Sequence, residues 1–148
     1  MGYTEKGTTF TRSVTATDID VAEEFYAVGT IITAYQTTVE FALSQLTAAA
    51  LTIAFNGGTT TVNTGDVTFD PPAAGTEVYT MIGWDSVNRD ERYIWRKCLQ
   101  VGATATSRQK VLPQALIPVS FRVDKPANLQ PFRWWGNAGS ATPVRTGA

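Results

Sequence analysis

From Thr30 to Ser44 the chain alternates without a break, and the alternation runs straight into a helical pattern. Thr33, Tyr35, Thr37, Val39, Phe41 and Leu43 fall on one face of the predicted strand. The other face carries Ala34, Gln36, Thr38, Glu40, Ala42 and Ser44, all small or polar. Such a strand is much longer than the usual five or six residues. One face suits a core; the other presents a smooth, wet, weakly acidic surface to something else. The period then changes. Thr47 is placed to cap a helix over Ala48–Asn56, and Gly57 to end it in a left-handed conformation. Leu46, Ala50, Ile53 and Ala54 form an apolar stripe at helical spacing that would lie on the sheet.

Shorter patterns flank this pair. Gly7–Val14 reads as a strand rich in threonine and aromatics, and Thr17–Ala22 alternates again with Asp18 and Asp20 on one face. Thr59–Val62 and Val67–Phe69 are short strand candidates in an otherwise loop-like stretch, which Pro71 and Pro72 close. Glu77–Trp84 and Arg92–Val101 read as strands joined by the polar turn Asp85–Glu91. In the second, Tyr93, Trp95, Lys97, Leu99 and Val101 share a face, with Arg92, Arg96 and Gln100 opposite. Ser107–Leu112 is a further candidate. In Ala115–Val123, Ile117, Val119, Phe121 and Val123 alternate with Pro118, Ser120 and Arg122. The last aromatic segment is Phe132–Trp135. The fold class is therefore mainly β: an antiparallel β-sandwich or flattened barrel with one short α-helix at about 48–56. Residues 1–135 form a single domain, and 136–148 a flexible C-terminal tail.

Composition narrows the function. The 148 residues suffice for one core. The net charge of −1 conceals an asymmetry: residues 1–85 hold ten acids and two bases, residues 86–148 three acids and ten bases. The halves either neutralise each other within one monomer or meet between copies of the chain. No run of bases suggests a nucleic-acid groove, no apolar run matches a membrane span, and Met1–Gly7 lacks signal-peptide character.

Candidate chemistry is sparse. Histidine is absent, which removes the commonest general base and metal ligand together. The single cysteine, Cys98, excludes an internal disulfide framework and reads as a small strand hydrophobe. Asp18 with Asp20 and Glu23 with Glu24 are sequence neighbours without an apolar pocket implied around them. Zinc, phosphate-loop and calcium-loop spacings are missing. No enzyme, cofactor or metal is expected. Trp84 and Trp95 occupy strand positions suited to core or interface. The adjacent Trp134 and Trp135 point to opposite sides if extended, which leaves interface, core and ligand stacking open.

The order of segments resembles the tail tube (major tail) proteins of long-tailed bacteriophages. GYTEKGTTFTRS, a pair of short acidic strands, and TTVEFALSQLTAAALTIAFNGG carry the proximal resemblance. YIWRKCLQV, RQKVL and LIPVSFRVDKPANLQPFRWW carry the distal part, so the match covers roughly residues 2–135. The resemblance implies six-subunit rings stacked head to tail around a channel for DNA, located in the virion tail after assembly in the host cytoplasm. It implies as partners the chain itself and other tail proteins (tape measure, distal tail, terminator), with DNA passing through without specific binding. Family members usually carry some tens of residues, including a first strand or arm, before the segment where this chain begins. A relative without that arm is expected to keep the fold and to be impaired in spontaneous assembly.

A lumen through which DNA slides should lack bases, because phosphates bind them strongly. The residues expected to face it are Asp18, Asp20, Gln36, Thr38, Glu40, Ala42 and Ser44. Expected subunit or ring contacts pair the acids Glu23, Glu24, Asp66 and Asp70 with the bases Arg89, Arg92, Arg96, Arg108 and Lys110. Trp134 and Trp135 join them as interface candidates. The reading from another class is a monomeric carbohydrate- or cell-surface-binding β-sandwich with an exposed tryptophan as its platform.

Overall fold

The structure, a computed structural model, describes residues 4–22, 26–86, 90–108 and 115–136. It is mainly β, a curled antiparallel half-barrel sheet with one short helix. The strands are β1 (Thr4–Ile19), β2 (Gly29–Leu43), β3 (Thr59–Asn63), β4 (Asp66–Asp70), β5 (Thr80–Asp85), β6 (Glu91–Gln100), β7 (Ser107–Arg108), β8 (Ala115–Val123) and β9 (Phe132–Gly136); the helix α1 spans Ala48–Ala54. The large sheet runs β1-β2-β8-β6-β5, with β7 on β8 and β9 on β6, while β3 and β4 form a separate hairpin. Every pairing is antiparallel.

The core lies on the inner face of the curl. Val39 and Leu43 of β2 meet Ile117, Val119, Phe121 and Val123 of β8, and Ile82, Trp95 and Cys98 complete the buried sheet residues. Curling brings β1 across to β6 and β9: the Phe10 ring lies 5.1 Å from Phe132, 5.7 Å from Trp95 and 5.9 Å from Tyr93. Trp95 also stacks on Tyr93, and its buried ring N–H has no hydrogen-bond acceptor among the described residues. Aromatic contacts of this kind contribute about 0.5–1.5 kcal/mol each beyond their burial.

The helix lies over one end of this face through Ala50 and Ala54, both buried. Thr47 caps it as expected, its side chain accepting from the Ala50 N–H at 3.2 Å. The helix stops two residues before the expected Asn56. Asn56, rather than Gly57, takes the compact left-handed turn, with φ of 58°, which asparagine tolerates better than most residues. Its buried side chain then bonds twice to the backbone of Gln100: Nδ2 donates to the carbonyl at 2.8 Å, and Oδ1 accepts from the N–H at 2.6 Å. The Asn56 carbonyl accepts from the Val78 N–H at 2.7 Å. That bond holds 77–79 against the helix end, which is why β5 begins at Thr80 and not at Glu77.

Two bulges reset the faces. Between the pairs Thr15–Ala34 and Ala16–Ile32, β2 carries one extra residue, Thr33. Between Ile82–Trp95 and Thr80–Cys98, β6 carries an extra residue in the Arg96–Lys97 region. The second bulge corrects the expected alternation of β6: Trp95, Cys98 and Gln100 are the buried set, while Val101 is exposed beyond the strand end. The segments expected as Gly7–Val14 and Thr17–Ala22 are one continuous strand, β1. Gly136 belongs to β9; the rest of the expected tail lies outside the described residues. Only the first two residues of the Ser107–Leu112 candidate are described, as β7. No helix among the described residues is long and apolar enough to cross a membrane.

The Asn56–Gln100 link generates a stability prediction. Asn56→Ala leaves two buried backbone groups of Gln100 unpaired and lowers unfolding stability by about 3 kcal/mol, read from urea denaturation midpoints. A loss under about 0.5 kcal/mol, the range of an ordinary surface change, contradicts this role.

Candidate functional site

The sheet outruns its core. β1 and β2 continue beyond the packed body as a two-stranded ribbon in which residues 11–20 and 30–36 are all exposed. Eighteen large hydrophobics are exposed among the described residues, and eight of them fall between Val14 and Tyr35. The register places three of them, Val14, Ile32 and Tyr35, on the ribbon's inner side and two, Ile19 and Ile31, on the other. Val14 pairs with Tyr35 and Ala16 with Ile32, continuing the face that Phe10 and Val39 occupy in the core. Tyr35, Ile32 and Val14 are each more than half exposed, with Arg12 stacked 4.4 Å over the Tyr35 ring. The core face therefore extends off the body with no other element among the described residues packed upon it.

The opposite, outer face of β1, β2 and β8 is polar over the body, but past the Thr33 bulge it carries the exposed Ile31, opposite Thr17, and Ile19 at the ribbon tip. Thr9 pairs with Glu40, Thr11 with Thr38 and Ser13 with Gln36; across β8, Glu40 pairs with Ser120 and Thr38 with Arg122. The Ser120 hydroxyl donates to Glu40 Oε1 at 3.1 Å. Gln36, Thr38, Glu40 and Ala42 share this face, and Ser44 follows just past the end of β2. Asp18 departs from the expected grouping. The Thr33 bulge breaks the alternation of β2, and Asp18 pairs with Thr30 on the inner side, accepting its hydroxyl at 2.9 Å. Asp20 lies past the end of β1, outside any alternation. One base that sequence reading did not place here, Arg122, enters from β8. Asp124 holds it in an ion pair at 3.0 Å; following the alternation of β8 beyond β2 would have found it.

The proposed contact residues divide. Glu23, Glu24, Arg89 and Lys110 lie outside the described residues, and Arg108 lies in β7. Asp66 and Asp70 occupy one face of the β3–β4 hairpin, opposite Val62, Val67 and Phe69. Gly58 brings that hairpin close to its own start: with φ of +119°, a Cβ there would meet the Asp70 carbonyl and the Phe69 ring, both at 2.6 Å. Arg92 is engaged within its own chain by cross-strand Asp85, through Nε at 2.6 Å and Nη2 at 2.9 Å. This bidentate pairing raises the Arg92 pKa. Arg96 donates to the Gln130 carbonyl at 2.6 Å. Trp134 and Trp135 are each about 40 % exposed on opposite sides of β9, and Arg133 sits 5.3 Å over the Trp135 ring.

Contact neutralisation within the monomer is slight. The described residues hold two ion pairs, Arg92–Asp85 and Arg122–Asp124, and only the first joins the acidic to the basic part of the sequence. No cluster of metal-ligating residues occurs among the described residues. Cys98 is fully buried, and burial pushes its thiol pKa up to about 12. Because the folded state disfavours the thiolate, Cys98 in native protein at pH 8 should resist iodoacetamide and react only on denaturation. Labelling at the rate of a free thiol would contradict that placement. No protein-family model matches the chain, and no curated protein matches it either.

Proposed function

We propose that this chain is a structural subunit of a bacteriophage tail tube, assembling with itself into stacked hexameric rings whose channel passes DNA. The observation that carries the reading is the uncovered inner face of the β1–β2 ribbon. Burying a valine, isoleucine or tyrosine of this kind gains about 1.5–3 kcal/mol relative to exposure. A neighbouring copy supplies that burial in a ring. The β1 edge, sixteen residues long, supports the same reading, since a free edge offers its backbone groups to another strand. In the assembled tail the other partners are the tape measure, distal tail and terminator proteins.

The outer face of β1 and β2 fits a channel lining. Over the body it offers threonine, serine, glutamine and one carboxylate, with Ile31 and Ile19 only at the ribbon tip, and its nearest base among the described residues is held by Asp124. Passing phosphates meet hydroxyls and amides and find no free cation to grip. The two half-exposed tryptophans of β9 are what would favour a carbohydrate-binding module instead. Such a module stays monomeric and responds to sugars.

Electron microscopy at high concentration should show rings or hollow tubes, sparse for the chain as it stands and abundant once an N-terminal extension is added. Ile32→Glu should abolish them while changing monomer stability by less than about 0.5 kcal/mol, because the residue is exposed in the monomer. A strictly monomeric wild type that binds cell-wall sugars would overturn the proposal. A second expectation concerns the lining. Tubes carrying Thr11→Lys and Gln36→Lys should retain short DNA at low salt and release it as salt rises, whereas wild-type tubes retain none. Equal retention by both would remove these residues from the channel.

A further inference from the structure

We infer that the groove between the β6 bulge, the loop 124–131 and β9 is a carboxylate-binding socket for the β3–β4 hairpin of a second copy of this chain. The inference rests on the self-assembly reading and names the contact that would join copies.

The groove encloses about 540 Å³, and three cations line it: Arg96, Lys125 and Arg133. No acid lines it. The nearest carboxylate in sequence, Asp124, is engaged by Arg122. Arg96 fixes the groove's shape: its backbone N–H donates to the Pro131 carbonyl at 3.0 Å and its Nη1 to the Gln130 carbonyl at 2.6 Å. The Arg96 N–H bond extends the β6–β9 register one residue past Trp95–Phe132, and the guanidinium reaches on to the next carbonyl of the loop. Phe132 and Leu129 add an apolar wall. The site thus matches a ligand with clustered carboxylates beside apolar side chains.

The hairpin has that chemistry. Its register sets Asp66 and Asp70 on one face, while Val62 and Val67 sit exposed on the other. Among the described residues neither aspartate belongs to an ion pair, and none of the three groove cations does. Five-residue strands give the hairpin a reach of roughly 17 Å. A nucleic-acid strand needs a basic track along its backbone, and here three cations gather in one short groove. Charge complementarity therefore favours the acidic hairpin of another copy.

A charge swap tests this. Asp66→Lys/Asp70→Lys and Lys125→Glu/Arg133→Glu are made in the full chain; Arg96 is kept because it holds the loop. Circular dichroism should show both variants folded. Each alone should raise the concentration for half-assembly, followed by light scattering in low salt, by roughly tenfold or more. Mixed one to one, the variants should assemble as wild type does, since the lysine hairpin then meets the glutamate groove. If wild type itself never associates, the self-assembly reading falls and this inference with it. If wild type associates and the single variants match it, the groove assignment alone falls, as it does if the mixture fails to recover. If short DNA binds wild type and Lys125→Glu/Arg133→Glu loses that binding while still assembling, the occupant is nucleic acid and the inference is overturned.

Discussion

A sheet face that alternates apolar residues must be covered along its whole length, and in this chain the cover is shorter than the face. The helix and the curl of the sheet bury Val39 and Leu43 but leave Tyr35, Ile32 and Val14 in water. Lengthening a ribbon beyond its core is unfavourable for an isolated monomer, which gains nothing from apolar residues held in solvent. The arrangement makes physical sense when a second molecule completes the interior. The remaining surface features (free edge, unpaired charge, polar outer face) are consistent with that requirement.

Much of the body was legible because its two faces differ in chemistry. In β8 the buried set Ile117, Val119, Phe121 and Val123 was read directly, since Pro118, Ser120 and Arg122 mark the other side. The helix start at Thr47 is equally visible, because a cap has a local signature, whereas β3 and β4 show only as two short strand candidates in a loop-like stretch. Bulges have no such signature. The extra residues at Thr33 and near Arg96–Lys97 reverse parity without altering composition, so Asp18 lies on the face opposite Gln36 and Glu40, and Gln100, expected on the face opposite Trp95, is buried with it. The Asn56–Gln100 link was also hidden, because it joins residues 44 apart through side chain and backbone.

The candidate surfaces were legible only in part. Alternation alone identified Gln36, Thr38, Glu40 and Ala42 as a shared polar face, but their neighbours Arg122 and Asp124 come from a strand that sequence order does not place beside them. Charge asymmetry along the chain leaves neutralisation within one monomer and contacts between copies both open, and it does not separate Arg92, engaged by Asp85, from Arg96, Lys125 and Arg133, which line the groove. Folding sorts cations of equal formal charge into engaged and available ones, and only topology reveals that sorting.

The most direct measurement is hydrogen exchange of the ribbon amides, residues 11–19 and 29–36, at low and high protein concentration. The β1 edge amides, which have no partner strand among the described residues, should become strongly protected as concentration rises, while core amides in β8 stay unchanged. Ribbon exchange that is fast and independent of concentration, in protein that remains folded, would contradict it.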